Sequence, residues 1–235
     1  MGKQAGDLRH PTRDPAYVRD AFARIARRYV TANHVLSLGI DILWRRKVAR
    51  IVASWKPDRV LDVASGTGDL ALEISRRCPE AEITASDFCP EMLEIARERG
   101  LENTVVADAM DMPFPDASFD ALTVAFGLRN MADYPAALRE MRRVLRPGGH
   151  LLILDFSLPS GPLRGPYRLY LHHFLPRIAG LVTGQRDAYQ YLGGTIEDFP
   201  SGGTMCQLIE SAGFHDAAAR PLTFGVASIY TAENR

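Results

Sequence analysis

The sequence predicts an α/β fold built on a mostly parallel sheet, and three observations carry that expectation. First, Val60-Leu61-Asp62-Val63-Ala64-Ser65-Gly66-Thr67-Gly68-Asp69 is a short apolar run that ends in a glycine turn and opens an alternating apolar pattern. It reads as strand, tight turn and helix start. Second, short strand-like runs then alternate with helical stretches, the pattern of βαβ units. Third, two strand-like segments close the chain, with a connection so short that it favours an antiparallel hairpin.

Taken in order, Pro11 and Pro15 mark a loose start. From Ala16 to about Val52, apolar residues such as Val18, Phe22, Ile25, Leu36, Leu43, Val48 and Val52 recur mostly at helical spacing, broken near Asn33 and Gly39. Two or three helices are therefore expected before the first strand. The alternation beyond them places strands at Arg59–Val63, Glu82–Ser86, Asn103–Ala107, Asp120–Ala125 and His150–Phe156. Helices fall between them at Asp69–Arg77, Pro90–Arg99 and Tyr134–Leu145. Pro90 stands where a first-turn proline is tolerated, and Gly100 and Gly148-Gly149 follow helices as stops. A last helix from Gly202 to Ala212 precedes strands at His215–Arg220 and Thr223–Ala232, joined through Pro221. No repeat or linker divides the chain, so residues 1–235 are expected to form a single domain. Residues 15–55 make a helical cap on it, and an apolar insertion spans 160–200.

Composition narrows the function classes. Lys+Arg and Asp+Glu both number 28, so no net field draws the whole protein to nucleic acid. Local clusters such as Arg24, Arg27, Arg28 and Arg45, Arg46, Lys47 read first as solvated helix faces and second as contacts for anionic lipid headgroups. Cys78, Cys89 and Cys206 are scattered and show no metal spacing, which points to a reducing compartment, the cytoplasm by default, and to no metal site. No signal-peptide core opens the chain, and no run approaches the roughly 18 apolar residues of a membrane span, so membrane contact is expected to be peripheral.

The glycine turn is the first candidate site. Gly66 and Gly68 lack a Cβ, so the backbone there can take positive φ and approach a ligand, with the new helix's N–H groups directed toward it. Asp87 ends the second strand about 20 residues on, where a carboxylate can accept both hydroxyl protons of a ribose. Dinucleotides and S-adenosylmethionine both use this arrangement, and Gly66-x-Gly68-x-x-Ala71 fits the dinucleotide fingerprint. The turn alone leaves the two open.

Segments nearer the C-terminus discriminate between them. Asp108-Ala109-Met110 ends the third strand, Met112-Pro113-Phe114-Pro115-Asp116 leads to the fourth, and Arg146-Pro147-Gly148-Gly149 precedes the fifth. In these features and in the closing hairpin the chain resembles class I S-adenosylmethionine-dependent methyltransferases. That resemblance implies a Rossmann-like sheet of seven strands, mostly parallel with the last antiparallel, and helices on both faces.

After the fourth strand stands Phe126-Gly127-Leu128-Arg129-Asn130 in place of the Asn/Asp-Pro-Pro-aromatic motif of nucleic-acid amino-methyltransferases. The pentapeptide resembles the signature of the ubiquinone/menaquinone biosynthesis C-methyltransferases. Similar matches run through Tyr29, Asn33 and Leu36-Ser37-Leu38-Gly39-Ile40-Asp41, through His173-Phe174-Leu175-Pro176-Arg177-Ile178, and through Tyr189-x-Tyr191-Leu192 with Thr195-Ile196. The chain departs from the family pattern at Val30, where an Asp is common, and at Ala125, where a Ser is common.

The resemblance implies transfer of a methyl group from S-adenosylmethionine to a ring carbon of a polyprenylated quinol, demethylmenaquinol first and a benzoquinol second. On the cofactor side it assigns Asp87 to the ribose, Asp108 and Ala109 to the adenine, and Gly66, Thr67 and Gly68 to the amino-acid part, with Ala125 beside them. On the acceptor side it assigns Arg129 and Asn130 to the quinol oxygen, and Tyr29 and Asn33 to closing the pocket. Asp155, His173 and Tyr189 are weaker candidates. Arg129 also reads as one half of a surface ion pair, and Tyr29 and His173 as packed residues. The apolar stretch between Leu163 and Val182, with Tyr167, Leu169, Tyr170 and Leu171, is expected to line a lipid-tail groove at the membrane face and to form a homodimer surface. Three rival readings stand beside this one: a methyltransferase of another small acceptor, a nicotinamide-dependent oxidoreductase, and an inactive scaffold.

Overall fold

The computed structural model describes Ser37 and residues 39–174 and 195–235. Seven strands form one sheet in the order β3-β2-β1-β4-β5-β7-β6. They are β1 (Arg59–Val63), β2 (Glu82–Asp87), β3 (Asn103–Val106), β4 (Phe119–Ala125), β5 (Leu145–Phe156), β6 (His215–Leu222) and β7 (Ala227–Glu233). The pairs among β1 to β5 are parallel, while β7 runs antiparallel to both β5 and β6. The α-helices among the described residues are α1 (Ile40–Ser54), α2 (Asp69–Ser75), α3 (Pro90–Glu98), α4 (Tyr134–Val144), α5 (Arg164–Leu169) and α6 (Gly203–Ser211). The α/β expectation holds, and the topological switch falls between β1 and β4, where the strand order reverses.

The central strands are largely apolar because both sheet faces are covered. Side chains alternate in direction along a strand, so Leu151 and Ile153 of β5 join Leu61, Leu122 and Tyr230 against α4 and α6. Leu152 and Leu154 face the other way, with Val60, Ile229 and the apolar stripes of α1 and α2 at Trp44, Val48, Val52, Leu70 and Ile74. Asp133 caps α4, its side chain accepting from the Ala136 N–H at 2.8 Å. The base of the sheet is tied by Asp120, whose carboxylate accepts from the N–H groups of Asp58 and Arg59 at 2.7 and 2.8 Å.

Several expectations need correction. Gly148 and Gly149 are not a helix stop: they lie within β5, in an irregular stretch between the pairs Phe119↔Leu145 and Ala121↔His150. Their loop is held by Asn234, which exchanges backbone bonds with both glycines. The β6–β7 connection is not at Pro221, which sits inside β6, an edge strand where a missing N–H is tolerated. The chain turns instead at Thr223–Gly225. Arg45 is not on a solvated face: it is buried and paired with Asp41 one helical turn back. The expected helices before α1, and residues 175–194 of the insertion, lie outside the described residues.

Two turns bring the sheet's carboxyl edge together, and each depends on a glycine for lack of space. A Cβ on Gly68 would lie 2.4 Å from Leu101 Cδ1, and one on Gly127 would lie 2.5 Å from the Ala64 Cβ. Gly127 has an ordinary φ, so Gly127→Ala isolates the steric cost. We expect that substitution to destabilise the protein by about 1–3 kcal/mol, as overpacking does. Urea unfolding of the two proteins measures it; an unchanged midpoint would mean that β1 and β4 are free to move apart.

Candidate functional site

The turns after β1, β2 and β4 surround an open cavity at the carboxyl edge of the sheet, about 820 Å³ of empty space when the part open to solvent is counted. Ligand sites of α/β folds lie at this place, outside the strand ends at the switch point. Two non-glycine residues beside it hold left-handed backbone conformations, Ala64 at φ 51° and Phe126 at φ 59°. Such conformations cost about 1–3 kcal/mol each and persist where surrounding contacts enforce them.

The wall of the cavity beside the glycine turn is built on Asp87. Its carboxylate accepts from the Gly66 N–H at 2.8 Å and from the Cys89 N–H at 2.9 Å, so it braces the glycine turn from the neighbouring strand. Burial pushes its pKa up to about 6, against the opposing pull of those backbone donors. Asp62, buried beneath the same turn, is likewise raised by burial to about 6 while accepting from the Thr123 hydroxyl at 2.6 Å. Gly66 has φ 58° and open space where a Cβ would stand, whereas Gly68 is pressed against Leu101. The two glycines therefore differ in purpose: Gly66 leaves the cavity floor open, and Gly68 lets α2 pack. The Gly66 N–H donates to Asp87 and the Gly68 N–H to the Ser65 carbonyl.

Gly66, Asp87, Asp108, Ala109, Ala125 and Asn130 all line the one cavity. Asp108 accepts from the Met110 N–H at 2.9 Å, which shapes the turn after β3. Thr67 is buried beside Gly66, its hydroxyl donating to Asp69 at 3.2 Å, and is not among the lining residues. The sequence reading missed Phe88, Met92 and Met131, which supply apolar wall. An aromatic directly after the ribose-type acid was a usable signal for Phe88. For Met92 and Met131 the sequence offered none, since both resemble ordinary core methionines.

Arg129 is only 3% exposed and does not line the cavity. Its guanidinium donates to Asp155 at 2.7 Å and to the Phe126 carbonyl at 2.5 Å, and it lies over the Phe156 ring at 5.1 Å. Its Nε–H is buried without a partner among the described residues. Asp155, fully buried, also accepts from the Phe156 N–H at 2.8 Å. Burial raises its pKa, and the adjacent Arg129 opposes that. Asn130 comes from the same short helical turn, Leu128–Asn130, and its amide reaches the Phe126 carbonyl at 3.4 Å. His173 is exposed on the wide turn Tyr170–Phe174, away from the lining residues. Tyr29, Asn33 and Tyr189 lie outside the described residues.

These burials carry two testable consequences. A ribose hydroxyl placed on Asp87 would bond better to the carboxylate than to the carboxylic acid, and Asp87 takes up a proton as pH falls through about 6. Affinity for S-adenosylmethionine should therefore be full above that pH and decline by up to about tenfold per unit below it. Calorimetric titration from about pH 5 to 8 would show this, and Asp87→Asn should bind weakly with a flatter profile. Equal steepness in the variant would move the titration to another group. Arg129→Ala strands a buried carboxylate and should cost about 3–5 kcal/mol of stability. Adding Asp155→Asn should recover part of the loss in denaturant unfolding, whereas additive losses would mean that the pair is not coupled.

The profile of the ubiE/COQ5 methyltransferase family matches residues 11–234. A relative named demethylmenaquinone methyltransferase from Deinococcus radiodurans is 47% identical over 224 residues, covering 93% of this chain and 92% of its own. Another of the same name from Thermus thermophilus is 45% identical, covering 90% of this chain and 99% of its own. Among solved structures, a SAM-dependent methyltransferase from Thermotoga maritima superposes with a TM-score of 0.66 at 18% identity, over 92% of this chain and 99% of that one. That likeness shows the fold, a Rossmann-like class I methyltransferase sheet. The open floor at Gly66, the buried Asp87 and the apolar wall of the cavity suit the adenosyl cofactor such proteins use. This chain belongs to the ubiE/COQ5 methyltransferase family and is an S-adenosylmethionine-dependent methyltransferase.

Proposed function

We propose that the protein transfers a methyl group from S-adenosylmethionine to a ring carbon of a prenylated quinol, demethylmenaquinol before any benzoquinol. The names of the two relatives above support the naphthoquinol choice. The observation that carries the reading is that Asp87, at the end of β2, and Asn130, after β4, line the same cavity. A cofactor end and an acceptor end thus share one space.

S-adenosylmethionine, when bound, supplies an electrophilic methyl group. Asp87 holds the ribose, Asp108 and Ala109 flank the adenine, and the turn carrying Gly66 and Thr67 faces the amino-acid end. A quinol ring carbon is a weak nucleophile until its neighbouring phenolic proton departs, and the resulting oxyanion then needs a donor in place. The Asn130 amide provides that donor. Arg129 acts on the same turn from behind, holding the Phe126 carbonyl while it pairs with Asp155, its Nε–H unpartnered among the described residues. The apolar wall of Phe88, Met92 and Met131 keeps water from the reacting centre. Tyr29 and Asn33 of the cap close the pocket in this reading. The whole of 1–235 then serves as one domain, with the cap at 15–55 and the insertion at 160–200 completing the acceptor side.

A polyprenyl tail resides in a bilayer, so the protein works at the cytoplasmic face of the membrane through peripheral contact, and the apolar insertion joins two copies. No helix among the described residues is long and apolar enough to cross a membrane. The dinucleotide reading loses its footing, because Gly68 is needed for packing against Leu101 and the family is one of methyltransferases.

Mass spectrometry of products from methyl-labelled S-adenosylmethionine, with reduced demethylmenaquinone or a benzoquinol lacking the methyl, tests the reading. Label is expected on the naphthoquinol ring carbon. Asn130→Ala should lower kcat by about 10²-fold while cofactor affinity stays within roughly twofold. Intact cofactor binding with no label on either quinol would point to another acceptor or to a scaffold.

A further inference from the structure

Phe224 is the most exposed large apolar residue among those described, at 83%. It sits at the tip of the β6–β7 turn, where Thr223, Phe224 and Gly225 all hold positive φ of 45°, 58° and 90°. A turn of three left-handed residues that presents an aromatic ring to water is costly and is not needed to connect two strands. The turn is nevertheless firmly anchored. The Trp44 indole donates to the Thr223 hydroxyl at 2.9 Å, and Ser157 donates to the Gly225 carbonyl at 2.7 Å.

The Trp44 bond ties the turn that carries Phe224 to α1, whose first turn is itself apolar and exposed, with Leu43 at 60% and Ile42 at 37%. Further along α1, Arg46, Lys47 and Arg50 follow Leu43 at intervals of three, four and seven, so they share its outward face. None of the three makes an ion pair among the described residues. The one acid of α1, Asp41, is buried and faces Arg45. An apolar tip beside a basic ridge is complementary to lipid tails beneath anionic headgroups.

Topology gives this surface its orientation. Because β7 is antiparallel, its start pairs with the end of β5, Phe156 against Ala227, and with the end of β6, Leu222 against Ala227. The Phe224 turn therefore lies on the carboxyl edge of the sheet, the same edge that carries the cavity. The two are joined through aromatic packing, Trp44 to Phe126 at 6.2 Å and Phe126 to Phe156 at 4.6 Å between ring centroids.

We propose that Phe224, with Ile42 and Leu43 and flanked by Arg46, Lys47 and Arg50, docks the protein on an anionic phospholipid bilayer with the cavity edge toward the membrane. The inference rests on the tailed-quinol reading only for its purpose. Docking itself requires no acceptor, so the two fail separately.

The test is sedimentation of the full chain with vesicles of phosphatidylcholine alone or with phosphatidylglycerol added, in the absence of any quinol. Binding should be at least about tenfold tighter to the anionic vesicles and should weaken with salt. Phe224→Ser should lower partitioning about tenfold on both vesicle types. Arg46→Gln with Arg50→Gln should lower it about 30-fold on the anionic vesicles and abolish the preference for them. Thermal unfolding checks that the variants fold, with Leu43→Ser as a companion should Phe224→Ser fail. Methyl transfer to a tail-less naphthoquinol in vesicle-free buffer should be unchanged in Phe224→Ser. Wild-type protein that ignores anionic vesicles, or that binds them as well after these substitutions, overturns the proposal. Vesicle binding as described with no methyl transfer to any quinol would keep the docking surface and overturn the acceptor reading alone.

Discussion

A guanidinium removed from water needs a carboxylate and further acceptors, and Arg129 finds Asp155 on the neighbouring strand and the carbonyl of Phe126 three residues back. This pair pins the turn after β4 to the end of β5. Once the turn is pinned, Phe126 is held at positive φ, its ring packs on Phe156 and Trp44, and Gly127 passes close over Ala64. Asn130 then has one place to be, on the wall of the cavity. The energetic contribution of such a pair over an apolar substitute is small or negative, so its benefit lies in geometry. It specifies a turn that hydrophobic burial alone would leave free to adjust.

The cofactor half follows a different economy. Asp62 and Asp87 are buried acids whose ionised forms are disfavoured by their surroundings, yet the backbone donors around Asp87 are arranged for a carboxylate. A bound polyol adds donors to that same carboxylate and so favours ionisation. Binding and proton release are thereby linked, and the ligand completes an arrangement that the fold leaves unfinished. The open space at Gly66 fits the same logic, since a side chain there would fill the approach without improving the packing.

Much of this was legible in the sequence, and the legible part has a common cause. The strands and helices from β1 to α4 fall within a residue or two of their expected limits because periodicity, prolines and glycines act locally. That Asp87, Asp108, Ala109 and Asn130 would line the cavity edge was legible because they end strands or follow them. The errors share a cause too. Gly148 and Gly149 join a strand because Asn234, far along the chain, holds their loop; the final turn avoids Pro221 because an edge strand can accommodate a proline; Arg45 is buried because Asp41 shares its helix face. Each depends on a partner that no short window of sequence contains.

In a parallel α/β sheet the carboxyl edge collects loops whose side chains have no partner in the layers above and below. Here that edge holds a cavity, a buried acid that titrates near neutrality, two strained non-glycine turns and, at its far end, an exposed phenylalanine beside a basic helix face. An acceptor with a long apolar tail cannot leave the bilayer to reach a site at low energetic cost, because every methylene exposed to water is worth about 0.8 kcal/mol. For the tailed quinol proposed above, the site would have to be brought to the lipid. A fold whose ligand edge and whose greasiest exposed tip coincide meets that requirement without moving a domain. The antiparallel β7 is the element responsible, because it turns the β6–β7 connection back to the edge where the chemistry lies.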